Sequence, residues 1–410
     1  VPTLTAQQAA RRLGVKVDTV YAYVSRGALT RLRAPDGRTS LFDGAEVEAL
    51  ARRGRPRRTT RPAALDFTVE TRLTTLTAEG RLAFRGFEAT RLARVATFEQ
   101  VAELLWTGRY PTEQPTWTPQ PIEMPDVPRL ADRLRVAVPV AAASDPLRGD
   151  LDTDAVVGTG RSLIATMVES LPPLGDGRTP RLALPAGGTP LRGTIAGRLW
   201  ARLTPDRPRP GLVGVLNAAL VLLADHELAA STFAARVAAS TRADPYAVVT
   251  AGLGPLAGPL HGGVSRSVRR LLDAAATPAG PGPALAEALE QNGGRYPGFG
   301  HAVYKQGDPR CNALLDLLRE AAGGTRQMSV VDGVLATVRR RVAVHPNVDY
   351  ALGALGLVGG MPHDAGEALF IVARTAGWLA HAIEEYQEAP VRFRPRAVYL
   401  GPTTAERPSD

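Results

Sequence analysis

The residues of this chain best suited to acid–base and anion-binding chemistry are three histidines, one aspartate and a few arginines, scattered from residue 226 toward the C-terminus. His261 lies in GPLAGPLHGGVSRSVRRLL, where Gly258, Gly262 and Gly263 remove side chains from both sides and let a ligand or another backbone come close. A helix read from Val264 to Leu272 puts His261 near a positive helix end. That disfavours imidazolium and leaves a neutral ring able to donate a hydrogen bond. His301 follows the bend Pro297-Gly298-Phe299-Gly300 in RYPGFGHAVYKQGDPR. Seven residues on, Asp308 is placed to cap a helix starting at Pro309, so Arg310 falls in a first turn whose free N–H groups attract anions. A tight helix crossing at the glycines and a salt bridge from Arg310 to a surface acid are the competing structural readings.

Asp349 in HPNVDY stands between a polar bend and an apolar run. It reads either as a helix cap or as a shielded carboxylate basic enough to act as a general base. Arg374 interrupts the apolar stretch LFIVARTAGWLAH, and a charge there must be paired or face a ligand. His226 in ADHE reads as a satisfied core residue. A zinc pair is not expected, because Ala230 stands where the second histidine would be. RFRPR at 392–396 adds clustered arginine, including Arg394. Phosphate-loop, dinucleotide-binding and nucleophile-elbow signatures are missing. The chemistry that fits is proton abstraction beside a carbonyl, on a substrate with several carboxylates.

An α-helical scaffold must position these groups. GVLNAALVLLADHELAASTFAARVAAS (214–240) and GEALFIVARTAGWLAHAIEEY (366–386) read as long helices, with Gly and Pro falling between helices instead of inside them. Residues 113–210 carry weaker periodicity. The expected class from residue 64 onward is all-α. With 410 residues and 44% hydrophobic content the chain can hold two or three domains. The single cysteine, Cys311, excludes an internal disulfide, and no apolar run approaches a membrane span. A cytoplasmic location is expected.

The net charge of +9 is concentrated at one end: residues 1–62 hold thirteen Arg or Lys against five Asp or Glu. Only Lys16 and Lys305 are lysine. Residues 1–54 read as helix (Ala6 to Leu13, stopped by Gly14), helix (Thr19 to Arg26, capped by Asp18 and stopped by Gly27), hairpin around Pro35-Asp36-Gly37, and a third helix from Asp43 to Arg53. That order, with its basic surplus, is a small winged helix-turn-helix domain that resembles the MerR or excisionase type. It contacts duplex DNA or serves dimer contacts and regulation. Residues 55–63 form a basic linker, either a solvated tether or an arm for a minor groove.

Taken together, the motifs resemble the citrate synthase family. The resemblance covers residues 70–112 and nearly everything from 214 to 402, through LLADHELAASTFAARVAAS, GPLAGPLHGG, PGFGHAVYKQGDPR, PNVDYALGALG, LFIVARTAGWLAHAIEE and RPRAVYLGP. It implies an all-α homodimer. Each subunit would have a large domain (64–260 and 361–410) and a small one (261–360) that closes over substrate. It implies catalytic roles for Asp349 as base, His261 as hydrogen-bond donor to the acetyl-CoA thioester carbonyl, and His301 as proton donor to oxaloacetate. His226, Arg310 and Arg374 would hold the substrate's oxygens, Arg394 would come from the partner subunit, and Lys305 would lie near the CoA phosphates. No cofactor is implied, because the coenzyme A thioester is itself a substrate. Three departures stand out: HGG is followed by Val264-Ser265 where the family commonly has Ala-Asn, DPR is followed by Cys311, and residues 113–210 match poorly. Propionyl-CoA in place of acetyl-CoA would use the same residues, giving 2-methylcitrate. A DNA-binding regulator with a metabolite-sensing body is the reading from a different class.

Overall fold

The computed structural model describes residues 3–13, 15–25, 28–34, 39–52, 68–77, 80–174, 191, 193–206, 209, 211–258 and 261–395. The stops at Gly14 and Gly27, the turn at Pro35-Asp36-Gly37 and the linker 55–63 lie outside the described residues. The chain forms two compact units, residues 1–69 and 70–410.

In the first unit β1 (Thr3–Thr5), α1 (Ala6–Leu13), α2 (Val17–Ser25), β2 (Arg31–Arg33), β3 (Ser40–Asp43) and α3 (Gly44–Arg52) follow in order. The strands make an antiparallel sheet ordered β1-β3-β2, so the expected wing is joined by an N-terminal strand that the sequence did not announce. Ala9, Val20, Leu29, Phe42 and Val47 form the small core. Asp43 Oδ1 accepts the Ala45 N–H at 2.7 Å and caps α3. The second helix begins at Val17, two residues before the expected Thr19. Val17 packs on the core, so Asp18 falls inside the first turn, where its charge favours the dipole, and does not cap the helix.

The second unit opens on β4 (Thr74–Leu76), β5 (Leu82–Phe84) and β6 (Phe87–Glu88), a small antiparallel sheet in an otherwise helical body. Its helices run α4 (Ala89–Val95), α5 (Phe98–Thr107), α6 (Leu130–Ala143), α7 (Thr153–Ser170), α8 (Ile195–Leu203), α9 (Leu212–Leu223), α10 (Ala230–Ser240), α11 (Pro245–Leu256), α12 (Val264–Ala275), α13 (Pro281–Gln291), α14 (Pro309–Ala322), α15 (Arg326–Arg341), α16 (Val348–Val358) and α17 (Ala365–Tyr386). Among its described residues, the obscure region 113–210 thus supplies three helices. Pro139 and Pro255 sit inside α6 and α11, against expectation. Pro139 is exposed, so water can take the carbonyl it frees, and Pro255 falls in the last turn of α11, near the helix end.

At the centre is α17, buried along almost its whole length and packed against α5, α6, α7, α9, α10, α11, α12 and α16. Apart from a few ionisable positions, α17 is apolar on every side, the pattern of a helix that belongs in a core. Its Trp378 is fully buried, and a Trp→Ala change at such a site costs about 3–5 kcal/mol.

The stretch 214–240 is not one helix. It breaks at residues 224–229, with neither Gly nor Pro to cause it. The cause is Asp225, which turns inward to accept hydrogen bonds from the Thr74 hydroxyl and His381 of α17. Gly377 makes the approach feasible: a Cβ there would lie 2.3 Å from the Ala224 carbonyl oxygen. Breaking the helix sets His226 in a loop, and Glu227 behind it takes the uncommon φ of +50°. Strained backbone of this kind persists where surroundings over-determine it, often at functional sites.

Candidate active site

His301 and Asp349 are far apart in sequence and are joined by backbone. The bend 298–301 runs beside residues 345–347: the Gly300 N–H donates to the His345 carbonyl at 2.8 Å and the Asn347 N–H to the Gly298 carbonyl at 2.9 Å. The Asn347 side chain donates back to the Gly300 carbonyl at 2.8 Å. Asn347 also caps α16 by accepting the Asp349 N–H at 3.1 Å. The cap is therefore Asn347, and Asp349 is left for other work in the first turn. Its Oδ1 is buried and has no hydrogen-bond partner among the described residues. Burial pushes the Asp349 carboxyl up to about 7, against the pull of Arg310.

Asp308 performs the expected cap of α14, accepting the Arg310 N–H at 3.0 Å. It also grips the Arg310 side chain through Nε (3.0 Å) and a terminal nitrogen (2.9 Å), and accepts the Val348 N–H at 3.0 Å. One carboxylate therefore fixes Arg310 and ties α14 to the helix of Asp349. Arg310 is buried and lies over the Tyr304 ring, 5.3 Å from its centroid. Arg310 does form a salt bridge, but with its own buried capping residue and not with a surface acid. Nε and one terminal nitrogen are engaged, so the remaining edge is left to meet an anion.

His301 Nδ1 accepts the backbone N–H groups of Val303 (3.0 Å) and Tyr304 (3.3 Å). Burial, then the charge of Arg310, lowers its pKa. The neutral ring therefore carries its proton on Nε2, as a donor. His226 Nε2 meets the Tyr304 hydroxyl at 2.8 Å, and the His226 and His301 rings are 5.8 Å apart between centroids. Burial, then Arg310 and Arg374, hold the His226 pKa well below its usual value. His226 therefore packs with Tyr304 and His301 in this cluster.

His261 sits in the turn between α11 and α12. Gly262 serves that turn and not a helix crossing, since a Cβ there would come within 2.3 Å of the Leu256 carbonyl oxygen. His261 Nε2 meets the Ser231 hydroxyl of α10 at 2.9 Å, and the ring lies edge-on to Phe370 of α17 at 5.7 Å. Burial, then Arg374, push its pKa down to about 4, so the ring is neutral as the helix-end argument requires. Arg374, one turn along α17, stacks over Phe370 at 4.8 Å and donates from Nε to the Leu223 carbonyl at 2.8 Å. Its NH1 is buried with no hydrogen-bond partner among the described residues. Burial lowers the Arg374 pKa to about 10, with Asp225 opposing.

Six of the eight candidate residues thus share one electrostatic environment: His226, His261, His301, Arg310, Asp349 and Arg374. Lys305 is exposed beside it, its Nζ 3.4 Å from the His301 carbonyl oxygen. Arg394 is exposed on the segment after α17, and no hydrogen bond or ion pair joins it to the others among the described residues. Ser231, Tyr304, Phe370 and the gripping role of Asp308 escaped the sequence reading. Tyr304 lies inside the quoted histidine stretch, but nothing in its spacing singled it out.

The arrangement joins a buried base, neutral imidazole donors and buried guanidinium groups, which suits removal of a proton beside a carbonyl and attack on a carboxylated ketone. Residues 67–396 match the family model "Citrate synthase, C-terminal domain", and residues 3–55 match that of a helix-turn-helix domain. Citrate synthase 2 of Bacillus subtilis is 38% identical over 213 residues, 51% of this chain and 56% of that protein. 2-Methylcitrate synthase 2 of Corynebacterium glutamicum is 30% identical over 349 residues, 78% of this chain and 88% of that protein. Among solved structures, the citrate synthase of Thermoplasma acidophilum, in a ternary complex with carboxymethyl coenzyme A and oxaloacetate, superposes with a TM-score of 0.65 at 26% identity, covering 83% of this chain and 96% of that one. The chain belongs to the citrate synthase family of acyltransferase enzymes and carries a helix-turn-helix domain ahead of the family's body.

Proposed function

We propose that the chain condenses oxaloacetate with acetyl-CoA and hydrolyses the resulting citryl-CoA to citrate and CoA. The observation that carries this reading is the Asp349 carboxylate, its Oδ1 buried and unpartnered among the described residues and its pKa up to about 7. Asp349 takes a methyl proton from the thioester. His261 donates from Nδ1 to the thioester oxygen as enolate charge develops, and Ser231 donates to Nε2, keeping the proton on the substrate side. The enolate carbon attacks the oxaloacetate carbonyl carbon, and the His301 Nε2–H is given to the forming alkoxide. Water then cleaves the thioester. General acid–base groups of this kind contribute about 100- to 10,000-fold each.

In this reading His226, Arg310 and Arg374 bind the oxaloacetate oxygens, Arg394 reaches the site of a second copy, and Lys305 meets CoA phosphates. The enzyme works as a cytoplasmic homodimer whose small domain, residues 261–360, closes over a large domain of residues 64–260 and 361–410. Propionyl-CoA is the alternative acyl donor, favoured by the 2-methylcitrate synthase among the relatives. Thiol release with oxaloacetate plus either acyl-CoA decides: faster release with acetyl-CoA is expected, and none with either would end the enzyme reading.

A second reading rests on the first unit. We propose that it is a MerR- or excisionase-type module that binds duplex DNA, since Lys16, Tyr21, Arg31 and Arg33 are exposed on it and Arg31 lies over the Tyr21 ring at 5.7 Å. Binding that weakens steeply with salt is expected. No affinity at low salt would leave the unit as a structural or regulatory appendage.

A further inference from the structure

Tyr304 has no role in the chemistry derived so far, yet it touches three residues of the oxaloacetate side. Its hydroxyl is 2.8 Å from His226 Nε2, its ring is 4.8 Å from that of His301, and the Arg310 guanidinium lies over it at 5.3 Å. Its own N–H helps to fix His301 Nδ1. The side chain is 4% exposed, and Gly80 lies against its ring, since a Cβ there would be only 3.3 Å from Tyr304 Cδ1. So many contacts do not make a filler. Leucine would fill the space without the hydroxyl or the π-face.

The direction of the His226 hydrogen bond follows from chemistry. Burial keeps the phenol protonated, pushing it up to about 12, while the same burial keeps His226 neutral. The phenol makes no other side-chain hydrogen bond among the described residues, so its O–H points at Nε2. A neutral imidazole that accepts at Nε2 carries its one proton on Nδ1. On the other face, the aromatic ring and the Asp308 grip together define the plane of Arg310.

We propose that Tyr304 is the positioning residue of the oxaloacetate half of the site, fixing His226 as an Nδ1–H donor and holding the Arg310 plane. This rests on the proposed condensation of oxaloacetate. It adds that recognition of the keto-diacid depends on a residue outside the histidine–arginine set.

The test compares the full-length wild type with Tyr304→Phe and Tyr304→Leu, varying oxaloacetate and acyl-CoA separately. Tyr304→Phe is expected to raise the KM for oxaloacetate about 5- to 10-fold, leaving the KM for acyl-CoA unmoved and kcat within about twofold. Tyr304→Leu, which also loses the ring, should add about two- to fivefold more. Nitrogen-15 shifts of His226 should move from a pure Nδ1–H form toward a mixture in Tyr304→Phe, a change that a merely structural role would not produce. An unchanged oxaloacetate KM in Tyr304→Phe, or equal shifts for both substrates, overturns the proposal, and Tyr304→Phe decides alone if the leucine variant does not fold. A wild type without turnover would strike at the condensation reading instead. Oxaloacetate calorimetry on wild type and Tyr304→Phe then still judges Tyr304, weaker binding by the variant supporting it and equal binding refuting it.

Discussion

Two of the sets of buried ionisable groups in the second unit follow opposite rules. In one, Arg236 donates to Glu385 (2.9 Å), to Glu384 (3.0 Å) and to His381 Nδ1 (2.9 Å), while Arg392 adds two bonds of 2.7 Å to Glu385. An arginine can only donate, so His381 Nδ1 must accept. The ring proton is then on Nε2, facing Asp225 at 3.3 Å. Each residue of this set has a protein partner, and Asp225 Oδ1 alone among its atoms is buried without a hydrogen bond among the described residues. In the other set Arg374 NH1 and Asp349 Oδ1 are buried with no partner among the described residues. A paired buried network holds elements together, whereas an unpaired buried charge costs stability and makes sense where a ligand completes it. Both sets draw on α17, so the distinction lies in partners and not in residue type.

The comparison would break most visibly at Asp349. Asp349→Asn should lower turnover by about 100- to 10,000-fold in a thiol-release assay, while raising Tm at pH 8. The sign follows from linkage. The folded-state pKa is raised, to about 7, so the folded protein binds the extra proton. Stability attached to this group is present at low pH and is lost as pH rises from about 4 to about 7. Asparagine removes that loss, so the gain in Tm should shrink toward pH 4. A variant less stable at pH 8 would mean that Asp349 belongs with the paired groups.

Arg236→Met should do the reverse, destabilising the protein by about 3–5 kcal/mol in a urea titration, because buried Glu385 keeps only the partly exposed Arg392 and His381 Nδ1 loses its donor. If stability is unchanged, the network is ornamental. The pH profile is a finer probe. With an acid near 7 that must be ionised, kcat/KM should level off above about pH 7 and fall about tenfold per unit below it. A flat profile from pH 5 to 8 would remove Asp349 as the base. The smallest effect is expected at exposed Lys305, where Lys305→Ala should raise the KM for acyl-CoA about two- to fivefold and leave oxaloacetate alone.

Much of the site was legible because local signals agreed. Asp308-Pro309 announced the start of α14, the glycines around His301 announced a bend, and an arginine in LFIVARTAGWLAH had to be exceptional. Elsewhere local signals misled. Residues 214–240 have the composition of one helix, and only the inward turn of Asp225 toward Thr74 and His381 explains the break. Asp349 resembled a cap because any carboxylate at a helix start does, but Asn347 two residues earlier had the better geometry. Three short strands before α4 were hidden because each is only two or three residues long.

The sequence by itself determined the helical class, the separate basic module and the identity of the chemical groups, because periodicity, capping and charge are written over a few neighbouring residues. The tertiary structure alone decided which groups met. The ties between Gly298–Gly300 and His345–Asn347, the Asp308 link to Val348 and the Ser231–His261 contact join residues 30 to 49 positions apart. No local pattern encodes such a juxtaposition. Burial is likewise a property of the packed body, and it is burial that raises the pKa of an ordinary aspartate and keeps three histidines neutral.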